Sequence, residues 1–336
     1  MSIEMNRRGL LKWGMVAGAG IVVGPWASRL RAAEGGAEKK VLFLTKSSGF
    51  QHSVITRDPE NPQALAHAEK ILTQMGKEHS VDVTVTKDAD VFNDPRTYQT
   101  YDAFAFYTTG DLTVDSERHA VVKGKKKGEK AQPGKFMHTE KPMSAEGKTA
   151  FLQSIKDGKG FIGFHCASDT FHTPHLNKDE LLKNDGRPEK AEYDPYIQMI
   201  GGEFVIHGSQ QPSTMHVVDP NFPGMKGVED FTLQEEWYSL ANFSPTLHVI
   251  LMQETKGMKG PMYEQRKPYP ATWARMYGKG RVYFTSMGHR EDVWTNPLFQ
   301  QIVNGGMAWV VGHVDADVTP NIEKVAPYVL PKPSVG

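Results

Sequence analysis

Apolar and polar positions change period several times along the chain, and each change predicts an element. Residues 41–45, Val41-Leu42-Phe43-Leu44-Thr45, form an apolar run too short for a helix, which predicts a buried strand. Residues 62–77 carry Leu65, Ala66, Ala68, Ile71, Leu72 and Met75 at helical spacing, ended by Gly76. Residues 81–85 alternate as a second strand, and 101–107 predict a third. Ser144 can cap a helix running through Phe151, Leu152 and Ile155 to Asp157, after which 160–165 enter a fourth strand. Strand, helix, strand, strand, helix, strand is the order of a parallel α/β sheet, whose ligand crevice lies at the carboxyl ends of its strands.

The second half is less regular. Short strands are predicted at 215–218, 236–238 and 246–252, then a hairpin of 272–277 and 281–285 around Gly278-Lys279-Gly280. A helix over 296–310 closes the domain, with Leu298, Ile302, Val303, Met307 and Trp309 as its apolar positions. The tail, 314–336, is proline-rich and is expected to wrap the surface. Neither a repeat nor a central linker interrupts 40–313, which predicts one domain with a surface insertion at 112–145. That insertion carries the run Lys123 to Lys130, read as a solvated basic stretch and not a nucleic-acid site, because the whole chain is neutral.

The amino end follows a different logic. Arg7-Arg8 precede an uncharged stretch rich in Gly, Ala and Val, and Ala32-Ala33 precede a Glu-Gly-Gly linker. This is the order of a twin-arginine (Tat) export signal over 1–33, with a linker at 34–39. About fifteen diluted apolar residues fall short of the roughly 20 that span a bilayer. Cleavage near Ala33 removes five positive residues and one negative, and so turns a neutral chain into one of net charge −4. The expectation is a periplasmic or secreted protein that meets the Tat export machinery and has no stable membrane insertion after processing. The single Cys, Cys166, excludes an intrachain disulfide and any zinc site of several thiolates.

Candidate chemistry gathers beside predicted strand ends. It comprises Gly49-Phe50-x-His52, Gly163-Phe164-His165-Cys166-Ala167-Ser168-Asp169, Gly201-Gly202-x-Phe204-x-x-His207, Glu235-Glu236-Trp237-Tyr238, and Trp273-x-Arg275 through Gly280-Arg281 to Gly288-His289. Each has an ordinary structural explanation: a histidine that satisfies loop backbone, glycines that permit tight bends, a tryptophan in the core. Several imidazoles and a Glu on one sheet rim suit acid–base work or metal ligation. No His-x-x-x-His pair exists, so a metal requires convergence in space. Gly163-x-His165-x-Ala167 has the shape of a nucleophile elbow with His at its centre; Cys166 is one place late. His172 and His175 lie beyond it and can close over a ligand.

Together these segments resemble the ThuA-like (trehalose utilisation) family, over residues 40–312. The resemblance implies a flavodoxin-like, class I glutamine amidotransferase-like three-layer sandwich with a mostly parallel sheet. It also implies a role in carbohydrate metabolism linked to 3-keto-glycosides. Glutaminases need Cys at the elbow, and His165 stands there, so amidotransferase chemistry is not expected. The expected substrate is a small-molecule carbohydrate, with no nucleic-acid partner. The expected catalytic residues are His165, Glu236, His207 and His289, with His52, Tyr238, Trp273, Arg281 and Asp169 binding substrate. A divalent metal is left open, with His165, His207 and His289 as its candidate ligands. The chemistry expected is hydrolysis, elimination or isomerisation; a non-catalytic sugar-binding protein and a metal-dependent hydrolase are the alternatives.

Overall fold

The computed structural model describes residues 38–119, 136–173 and 193–330. The segment expected to be an export signal, the lysine run, His175 and the last six residues lie outside them. The described residues belong to one unit, Gly36–Gly336.

Its frame is a nine-stranded mixed sheet. The strands of the first half are β1 (Lys39–Leu44), β2 (Val81–Thr86), β3 (Ala103–Phe106) and β6 (Gly160–Phe164), with β4 (Ser116–His119) and β5 (Phe136–Glu140) forming a separate antiparallel pair. The second half supplies β7 (Glu203–His207), β8 (Gln211–Val217), β9 (Phe231–Glu235), β10 (Tyr238–Ala241), β11 (His248–Gln253), β12 (Tyr269–Tyr277) and β13 (Gly280–Thr285). The main sheet has the order β2-β1-β3-β6-β13-β12-β11-β8-β9, and β7 pairs with β10 outside it. Strands β2, β1, β3, β6 and β13 are mutually parallel. The remaining neighbours pair antiparallel, so only β12 and β8 run against the other seven.

Every residue of β3, β6 and β11 is buried. Successive side chains point to opposite faces, so both faces of the sheet are covered. This explains why the strands read as continuous apolar runs. The covering helices include α1 (His67–Glu78), α2 (Ala145–Lys156), α3 (Pro195–Ile200) and α4 (Pro297–Val310). Ser144 caps α2 by accepting from Gly147 N at 2.9 Å, and Asn296 caps α4 by accepting from Leu298 N at 2.9 Å. The tail packs down through Ile322, Ala326 and Val329, all buried, while the Asn321 side chain bonds both backbone groups of Val249.

Two expectations change. Residues 236–238 are not a strand: β9 stops at Glu235 and β10 begins at Tyr238, leaving Glu236 and Trp237 in the break between two sheets. The insertion is not wholly a surface feature either. Its roots, Ser116 and Glu140, are buried, and Lys46 Nζ donates to Ser116 Oγ at 3.0 Å and to the Glu140 carbonyl at 2.6 Å.

Candidate active site

The carboxyl ends of β1, β3, β6 and β13 lie side by side, and their loops are stitched together by backbone bonds. Ser48 N donates to Thr109 O at 2.7 Å, and Thr109 Oγ1 donates to Phe50 O at 2.9 Å, fixing the loop that ends in His52. Gly110, at φ 72°, donates to Asp169 O at 2.7 Å and ties the β3 loop to the turn after β6. A Cβ there would meet Gly49 N at 2.8 Å, so only glycine lets these loops close.

His165 is the first residue after β6 and holds φ 40°, a left-handed conformation costly for a non-glycine residue. Its Nδ1–H donates to Ser286 O at 2.9 Å, which turns Nε2 toward Glu236 Oε2, 3.6 Å away and without hydrogen-bond geometry. His289 follows β13, and its Nδ1 lies 3.1 Å from the same oxygen without hydrogen-bond geometry. His207 ends β7 and places Nδ1 3.3 Å from Glu236 Oε1. The rings of His52, His165 and His289 stand edge to face, with centroids 5.1, 5.1 and 5.3 Å apart. Five segments distant in sequence therefore converge on one carboxylate.

Glu235 holds that convergence. Its Oε1 accepts from Glu236 N at 2.8 Å, and its Oε2 accepts from Gly288 N at 2.9 Å and His289 N at 3.0 Å. One buried carboxylate thus clamps the Glu236 loop to the His289 loop. Tyr107 Oη and Trp294 Nε1 both donate to Gly288 O, at 3.0 and 2.7 Å. The Glu235-Glu236 pair was visible in the sequence, but its division into a buried clamp and a carboxylate facing the histidines was not.

The electrostatics follow from burial and proximity. Burial, with His165 and His289 beside it, pushes His52 down to about 2. Burial also disfavours the Glu236 carboxylate, but the His165 and His289 imidazoles beside it outweigh burial and hold the group below the usual carboxylate range. Burial opposes charge on His289 as well; Glu236 wins, and His289 is raised. Cys166 is fully buried and its thiol is pushed well up by burial, so it is no nucleophile.

Of the sequence-predicted residues, His52, His165, His207, Glu236, Tyr238 and His289 come together. Trp273 does not join them: it is 0% exposed, stacks on Phe284 at 4.3 Å and donates its Nε1–H to Ile200 O, so it is core and has no face for a sugar. Arg281 sits at the opposite end of β13 from His289 and is spent on Trp309 O, Val314 O and Asp315. Tyr238 lines the cluster, but at 3% exposure its ring is covered by His165 and Phe204, each 4.1 Å away. Asp169 pairs with His172 at 2.5 Å instead of reaching inward. The aromatic that does face solvent is Phe50, 69% exposed and edge-on to His52 at 5.0 Å. Among the described residues, the group able to surround a cation is His52, His165, Glu236 and His289. It includes His52, expected to bind substrate, and omits His207.

The sequence model of the ThuA family, described as trehalose utilisation, matches residues 135–310, more than half of the chain. The chain belongs to the ThuA family. A ThuA-like protein from Bacteroides uniformis superposes with a TM-score of 0.54 at 16% identity, covering 85% of this chain and 96% of its own. A ThuA-like protein from Parabacteroides merdae gives a TM-score of 0.51 at 16% identity, covering 84% and 93%. These likenesses establish a ThuA-like fold, and the family points to a carbohydrate-related role. No curated protein matches the chain.

Proposed function

We propose that this ThuA-family protein is an exported enzyme that cleaves 3-keto-glycosides by elimination. The observation that carries the reading is the Glu236 carboxylate, reached by His165, His207 and His289 within 3.6 Å at the strand-end rim. Export rests on the Arg7-Arg8 signal over 1–33.

A 3-keto group acidifies the neighbouring C2 proton. Glu236 Oε1 takes that proton, and the electron pair passes into the C2–C3 bond as an enolate on the C3 oxygen. The enolate collapses, a C1–C2 double bond forms, and the C1–O bond breaks with its pair on the leaving oxygen. His207, half-exposed at the mouth, donates the proton that oxygen needs. His207 Nδ1 already donates to Gly208 O at 3.0 Å, so the proton on Glu236 returns to His207 Nε2 through solvent at the mouth, restoring both groups. The products are an unsaturated keto-sugar and a free alcohol, and no co-reactant is consumed. Phe50 offers its exposed face to the sugar ring.

The test is a panel of matched glycosides, each offered native and oxidised at C3, with release of the alcohol followed by chromatography. The expected result is release from the oxidised member of a pair and none from the native one. A protein that binds both members and releases nothing is a sugar-binding protein, and the proposal fails.

A further inference from the structure

The same cluster carries a second property that imidazole and carboxylate chemistry alone does not explain. Three buried ring nitrogens, His52 Nδ1, His165 Nε2 and His289 Nδ1, have no hydrogen-bond partner. His52 and His165 are 2% and 0% exposed, so solvent does not satisfy them. Buried polar atoms are rarely left this way, and three in one cluster call for a common partner.

We infer that His52, His165, His289 and Glu236 form a binding site for one divalent transition cation. Each residue offers a donor atom, and the four donors lie within 4.8 Å of one another. Four donors about 2.1 Å from a shared tetrahedral ion stand roughly 3.4 Å apart, so contraction by small side-chain rotations closes the set. The near-perpendicular rings let three lone pairs point to one centre without stacking. The outer contact of His165 is the one a ligating imidazole requires: Nδ1–H is held by a backbone carbonyl and Nε2 is bare. On His289 the outer Nε2 faces Gln210 Nε2 at 2.9 Å. Ligation through Nδ1 puts a proton on Nε2 and requires the Gln210 amide turned over, which exchanges two isosteric ends. Arg290, which now donates to Gln210 Oε1, keeps Asp292 as its partner through that turn. Three nitrogen donors of four favour zinc, cobalt, nickel or iron over calcium or magnesium. A cation here supplies Lewis-acid polarisation to a substrate carbonyl. The inference rests on the site proposed for the lyase and names its cofactor class; Glu236 Oε1 and His207 remain outside the set of bonds it needs.

The experiment uses the full processed chain, stripped with chelator and dialysed, then titrated with cobalt(II) and zinc(II) by calorimetry and by the visible cobalt spectrum. The expected result is one ion per chain with ligand-field bands of a low-symmetry, nitrogen-rich site. His52→Ala and His289→Ala each weaken binding by at least a hundredfold, while His207→Ala stays within a few-fold of wild type. Because an alanine variant can lose its fold, His52→Gln and His289→Gln are run beside them with circular dichroism. Absence of stoichiometric binding by either ion overturns the inference. So does binding that survives both Gln variants but disappears in His216→Ala, which would place the ion on the surface group of His216, Asp230 and Glu254. The two proposals separate cleanly. Metal-free protein that releases alcohol at the full rate overturns the cofactor and leaves the lyase. Protein that binds one ion but turns over no keto-glycoside overturns the lyase and leaves the metal site.

Discussion

Two glutamates near the sheet rim, Glu69 buried and Glu236 partly exposed, have opposite surroundings. Glu69 on α1 is closed: it accepts from Thr45 Oγ1 at 2.6 Å, Arg57 Nε at 2.8 Å and Ala66 N at 2.8 Å, with Lys87 Nζ 3.7 Å away. Glu236 stands among imidazoles whose nitrogens include three with no hydrogen-bond partner. Both carboxylates are held below the usual range, Glu69 by Lys87, Arg57 and Thr45 against its burial, and Glu236 by His165 and His289 against its own. The pKa direction therefore does not tell structure from function here. Satisfaction does: the Glu69 network has few bonds left to make, whereas the Glu236 cluster has several to offer a ligand.

The largest expected effect separates the two by activity. Glu236→Gln should lower turnover of a keto-glycoside by about 10²–10⁴-fold, the usual worth of one acid–base group, with unfolding free energy within about 1 kcal/mol of wild type. Steady-state kinetics and urea unfolding on the same preparation check both halves. The next effect runs the other way. Glu69→Ala removes the carboxylate facing Lys87 and Arg57 and should cost about 3–5 kcal/mol of stability, while activity per folded molecule stays near wild type.

A second satisfied site gives a pH test. His172 lies between Asp169 at 2.5 Å and Glu203 at 3.3 Å. Its burial disfavours charge, but these two carboxylates outweigh it and raise the group from 6.5 to about 9. The protonated ring is the form the fold prefers, so its contribution is complete below pH 6.5 and is lost as pH rises through about 9. The stability gap between wild type and His172→Gln, read as the difference in Tm, should shrink from pH 6 to pH 9.5; a constant gap contradicts the pairing. The smallest effect belongs to Phe50. Phe50→Ala should raise KM several-fold through lost stacking and shift stability by no more than about 0.5 kcal/mol, as measured by kinetics and melting.

The sequence disclosed more of the scaffold than of the site. Buried strands such as 41–44 and 160–164 announce themselves as short apolar runs, and Ser144 and Asn296 mark helix starts because a cap must accept a backbone N–H. The histidines were legible as a group, since a polar residue just past a buried strand can only sit on the rim. Trp273 and Arg281 misled for one reason: on a strand buried on both faces, no alternation shows which residues face a cavity, and strand direction decides which end of a hairpin meets the rim. The break at Glu236 was hidden because it lies where the chain leaves the main sheet for the β7–β10 pair, a tertiary event with no local period. The clamp of Glu235 on Gly288 and His289 joins residues more than fifty positions apart and had no local signal.

The most direct test of the acid–base centre follows one proton. A 3-keto-glycoside labelled with protium at C2 is incubated in D₂O with wild type and with Glu236→Gln, and the C2 signal is read by NMR. The account predicts that wild type removes the signal, by exchange or by elimination, and that Glu236→Gln leaves it at the background rate. A C2 proton that survives wild type, or that disappears equally fast with both proteins, contradicts it.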